Sequence, residues 1–88
     1  MQCEYVNADG SGGSEIYIGV EASQSACTAA CFKRKISNPL INGATFSHSF
    51  NKKCYCEIGQ NGQKISSKWR NCWFNKPFVP PESKWKII

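Results

Sequence analysis

Eighty-eight residues make one small domain, with six cysteines, seven glycines, four prolines and a net charge of +5 from eleven Lys or Arg against six Asp or Glu. A chain this short buries a modest share of its surface and is marginal without staples, so an even cysteine count reads as a disulfide framework made in an oxidising, extracellular setting. The same totals exclude a membrane span, since no apolar run approaches the ~20 residues one needs, and nucleic acid is not an expected partner because basic runs, zinc-finger spacing and RNA-binding aromatics are all missing.

In chain order, Met1-Gln2-Cys3 lacks the charged and apolar regions of a signal peptide, so Met1 reads as an added start with a natural signal and neighbouring domains removed. Cys3-Glu4-Tyr5-Val6 is a short apolar start. Asn7 to Ser14, with three glycines among small polar residues, is expected to be a flexible loop. Ile16 to Val20 is β-branched and aromatic and reads as a strand, ended by a polar turn at Glu21-Ala22. Ser23 is placed to cap a helix over Gln24 to Lys35, a stretch free of Gly and Pro whose basic end, Lys33-Arg34-Lys35, suits the negative end of the helix dipole. Ser37-Asn38-Pro39 stops the helix, and Leu40-Ile41 is expected to bury both side chains.

Ala44 to Phe50 alternates with period two and turns at Asn51-Lys52-Lys53 into Cys54 to Ile58, a β-hairpin. Ala44, Phe46, Cys54, Cys56 and Ile58 should face the helix, with Thr45, Ser47, Tyr55 and Glu57 turned away. Gly59 to Gly62 is a turn, Gln63 to Lys68 a polar stretch, and Trp69 to Phe74 a last strand. Pro77, Pro80 and Pro81 give residues 75–88 the character of a tail or linker.

Cys27-Thr-Ala-Ala-Cys31 and Cys54-Tyr-Cys56 have matching spacings, because four residues of helix and two of strand each rise by roughly 6 Å with both cysteines on one face. A helix can therefore be fastened to a strand by two parallel rungs. A serine before CxxxC on a helix, then Ala-x-Phe-Ser-x-Ser leading through a lysine-containing turn into Cys-x-Cys, with a cysteine near each end, resembles the PAN/apple family over Cys3 to Phe74.

That resemblance implies an α+β fold, a small disulfide-rich antiparallel sheet of about five strands with one helix packed on it, over residues 1–74. It implies binding without catalysis, and it implies bridges Cys3 to Cys72 and Cys27 to Cys54. The family's usual cysteine before the hairpin Phe is missing near Gly43. With the hairpin turning at Asn51-Lys52, Phe46 is expected opposite Ile58 and His48 opposite Cys56, so Cys56 lies nearer the vacant place and Cys31 is assigned to it. The swapped order, Cys27 to Cys56 with Cys31 to Cys54, fits the spacing as well.

Zinc is disfavoured by cysteines four apart on a helix, where backbone amides cannot reach the sulfurs, and no cofactor is expected. Enzyme chemistry has no obvious candidates: His48 is the only histidine, every cysteine is committed to a bridge, and the carboxylates sit apart in sequence. Trp69, Trp73 and Trp85 are interleaved with Lys68, Arg70, Lys84 and Lys86, which suits stacking on sugars or holding acidic groups, although Trp69 and Trp73 could equally fill the small core. The expected function is an extracellular, secreted, monomeric binding module for a protein or a glycan, favouring anionic ones, within a larger adhesive or matrix protein. Lys52, Lys53, Trp69 and Arg70 are its candidate contacts. The alternative is a stand-alone basic effector, such as a toxin or protease inhibitor.

Overall fold

The computed structural model describes residues 3–47 and 51–75. They form a small α+β, disulfide-rich domain: a five-stranded antiparallel sheet, one helix and three disulfides. In chain order the elements are β1 (Tyr5–Ser11), β2 (Ser14–Val20), α1 (Gln24–Lys35), β3 (Ile41–Ser47), β4 (Lys53–Ile58) and β5 (Gly62–Trp73). The sheet order is β1-β5-β3-β4-β2, every neighbouring pair antiparallel. No helix among the described residues is long and apolar enough to cross a membrane.

The helix begins where its cap predicts. Ser23 is extended, its hydroxyl accepts from the Ala26 amide at 3.1 Å, and the last turn carries Lys33, Arg34 and Lys35. Lys35 has a further structural task, because its Nζ donates to the carbonyls of Pro39 and Ile41, each at 2.8 Å, and ties the exit loop down. That loop buries Ile41 but leaves Leu40 69% exposed, so only one of the two expected apolar residues is covered.

Only Cys27, Thr28 and Cys31 of α1 are buried, and both cysteines are bridged to β4, Cys27 to Cys54 and Cys31 to Cys56, with Cα separations of 5.6 and 5.4 Å. Cys3 is joined to Cys72 at 5.5 Å between Cα atoms. The core is built from these cystines together with Ile41, Ala44, Phe46 and Phe74, and Phe74 stacks on Phe32 of α1 at 4.1 Å. At the start of the helix, Tyr5 lies against Gln24 and Thr28, its hydroxyl 3.0 Å from the Gln24 carbonyl oxygen and 2.7 Å from Thr28 Oγ1, which clamps β1 to α1.

Three expectations are corrected. The hairpin pairs Phe46 with Cys54 and Ala44 with Cys56, not Phe46 with Ile58; Ile58 sits opposite Ile41. The slip is by an even number of residues, so the helix-facing set survives unchanged. Second, β5 starts at Gly62 rather than at Trp69 and takes in the polar stretch Gln63 to Lys68.

Third, Asn7 to Ser14 is not a loop. It supplies most of β1 and the start of β2, and the turn is confined to Gly12 and Gly13, both in the left-handed region that glycine enters without penalty. β1 and β2 occupy opposite edges of the sheet, yet two residues connect them. The sheet reaches this by folding over on itself. Between Asn7, opposite Arg70, and Ala8, opposite Ile65, the register jumps, leaving residues 66–69 of β5 without a partner in β1. Beyond that bulge the paired ends of β1 and β5 bend across the face away from α1, where a Cβ on Gly10 would lie 2.7 Å from Gln60 Oε1 and 2.8 Å from Glu57 Cδ.

Candidate functional site

Thr45, Ser47, Tyr55 and Glu57 do turn away from α1, but most of that second face is not solvated. Thr45, Ser47, Glu57, Gln60 and Asn71 are all buried. The polar groups of Gln60, Asn71, Thr45 and Glu57 satisfy one another in a directed chain. Gln60 and Gln63 donate through Nε2 to Asn71 Oδ1 at 2.7 and 3.0 Å. Asn71 Nδ2 donates to Thr45 Oγ1 at 3.0 Å, and Thr45 donates to Glu57 Oε2 at 2.6 Å. Asn42 fixes the turn into β5 by a reciprocal pair with the Gln60 backbone, donating at 2.8 Å and accepting at 2.7 Å.

Asp9, Glu15 and Glu57, far apart in sequence, converge here, each with a carboxylate oxygen within 4.8 Å of the others. Burial, followed by the charges of Glu15 and Asp9, pushes the Glu57 carboxyl up to about 8 from an ordinary 4.5, against the opposing bond from Thr45. Glu57 therefore holds its proton at neutral pH and can donate to an acidic neighbour. These three groups are the described residues' only free metal-ligating cluster, since the other convergence, Cys27, Cys31 and Cys54, is consumed by disulfides.

Toward the other end of the same face lies a row of rings. Tyr17 of β2 pairs directly with Tyr55 of β4, their centroids 5.1 Å apart and planes tilted by 48°. Tyr55 meets Trp69 of β5 edge-on at 5.5 Å, across the small residues of β3. Trp69 reaches this place because Ser66 Oγ accepts from the amides of Lys68 and Trp69, at 3.1 and 3.3 Å, and shapes the bulge that carries it.

Of the residues expected to make contacts, the structure brings Trp69 and Lys53 to this face: Lys53 is two positions before Tyr55 on β4. Lys52, with a left-handed φ of 52°, is exposed at the entry to β4. Arg70 is on the opposite face, in register with Phe46, and does not join the others. Trp73 lies opposite Gly43 on the ring-bearing face, and both it and Trp69 are half-buried rather than part of the core. His48, Lys84, Trp85, Lys86 and the Pro-containing tail lie outside the described residues. Tyr17 and Tyr55 were legible only as strand residues; what marks them is their alternation with helix-facing neighbours, which puts two aromatic side chains on one face.

A third feature is a groove of about 650 Å³ between the start of β1 and α1, lined by Tyr5, Gln24, Thr28 and Phe32 among others. Burial raises the Tyr5 hydroxyl to about 12, partly offset by its bond to Thr28. Comparison with known protein families, with curated proteins and with solved structures finds no match to this chain.

Proposed function

We propose that this chain is a secreted, non-catalytic binding module of the PAN/apple type, recognising an extracellular protein or glycan as one part of a larger adhesive or matrix protein. The observation that carries the reading is the row Tyr17, Tyr55 and Trp69, held on a cross-linked sheet beside Lys52 and Lys53. Rigid aromatics on strands contact a partner at low entropic cost, and the disulfides remove the cost of ordering the platform on binding. Three disulfides agree with an extracellular setting. A surplus of positive charge favours acidic partners.

The test is a glycan array run beside a panel of extracellular matrix proteins, at low and high salt. Specific retention of a glycan or protein that weakens as salt rises is the expected result. Failure to retain any of them, together with potent inhibition of a protease or toxicity to cells, would replace the module by the stand-alone effector.

A further inference from the structure

The ring-bearing face is electrically polarised. In the direction of the β3–β4 connection it carries Lys53, half-buried two positions before Tyr55, with exposed Lys52 beside it; in the other direction it carries Glu15, two positions before Tyr17, and then Asp9, beside the buried and protonated Glu57. Between these ends Tyr17 and Tyr55 face each other across β2 and β4, Trp69, opposite Ser47 of β3, meets Tyr55 from the lysine side, and Tyr17 remains 50% exposed. The C–H faces of pyranose rings are weakly positive and seat on the negative faces of aromatic rings, and ammonium groups hold carboxylates as point charges. A polymer charged on every sugar would set anions against Glu15 and Asp9, whereas one carboxylate on an otherwise neutral oligosaccharide matches both ends.

We propose that this face binds a short oligosaccharide with a single carboxylated sugar, its neutral rings on Tyr17 and Tyr55 and its carboxylate toward Lys53 and Lys52. This rests on the binding-module reading and names the ligand class of that surface.

The experiment titrates the full chain with 3′-sialyllactose, with lactose, and with a heparin-derived oligosaccharide, following backbone amide shifts. Sialyllactose is expected to bind more tightly than lactose and than the heparin fragment at moderate salt, with shifts concentrated on β2, β4 and Trp69. Tyr17→Ala, at a half-exposed position, should weaken binding of sialyllactose about tenfold or more while the amide spectrum stays folded. Lys53→Gln should abolish the advantage of sialyllactose over lactose and leave lactose binding unchanged. Equal affinity for lactose and sialyllactose, or preference for the heparin fragment, overturns the proposal. So does unchanged binding in both variants with loss in Lys33→Gln/Arg34→Gln, which would move the contact to the helix end. If no saccharide binds but a matrix protein does, this inference falls and the module reading stands; if neither binds, both fall.

Discussion

Glu57 is a carboxyl group almost out of reach of solvent, with Asp9 and Glu15 around it and Thr45 as its donor. Its folded value of about 8 lies above the unfolded 4.5, so between those limits the folded chain binds more protons than the unfolded one. Stability associated with this group is therefore complete below about pH 4.5 and is lost as pH rises toward 8, with a slope of at most about 1.4 kcal/mol per pH unit. Urea denaturation across that range should show the decline, and Glu57→Gln, which keeps an acceptor for Thr45 and carries no charge, should flatten it; an unchanged slope would exclude Glu57 as its source. Gly10 tests the same corner sterically. Its missing side chain leaves room for Gln60 and Glu57, and Gly10→Ala should cost about 1–3 kcal/mol in the same measurement, because the colliding groups are the interlocked polar ones. None of this was legible in the sequence. Period-two alternation separates two faces of a strand, but it reads polar residues as solvated, and here Thr45, Glu57 and Asn71 satisfy one another beneath a second layer of chain.

At the scale of elements, α1 was the most legible piece, since capping and the absence of breakers are local and set Gln24–Lys35 without help from the rest of the fold. Its attachment was legible as spacing alone. The hairpin register was not, because its connection runs through residues outside the described ones and pattern fixes register only to within an even slip. The helix offers the sheet just three buried side chains, two of them cysteines, so its docking depends on the rungs. Opening either rung, whose ends are separated by 27 and 25 positions in sequence, should lower stability by roughly 3.5 kcal/mol on chain-entropy grounds. Replacing Cys31 and Cys56 by Ala should therefore lower the urea midpoint while leaving the helical circular dichroism intact. Removing both rungs should reduce the helical signal itself; a helix that survives their loss would show that Tyr5, Phe32 and Phe74 suffice to dock it.

In the whole molecule, what escaped the sequence is closure. Glycines at Gly10, Gly12 and Gly13 suggest a loop, because local reasoning credits glycine with freedom and not with the close approach it permits. In the fold those positions let one edge of the sheet fold over the face and rejoin the other edge within two residues. β1 is consequently held at both ends by different means: by the Cys3–Cys72 bridge and the Tyr5 clamp at its start, and by the buried polar corner at its finish. The two anchors should separate experimentally. Replacing Cys3 and Cys72 by Ala opens a 69-residue separation and should cost about 4 kcal/mol by the same entropic account. Within the folded variant, amide exchange should quicken at Tyr5 to Asn7 while Ala8 to Ser11 stay protected, since their partners Gly62 to Ile65 and the Glu57 corner are untouched. The Tyr5 hydroxyl should report the same event, falling from about 12 toward the ordinary 10 in a spectrophotometric titration as its burial against Thr28 is lost. Uniform loss of protection along all of β1 would instead mean that the bridge, and not the folded-over corner, holds the strand in place.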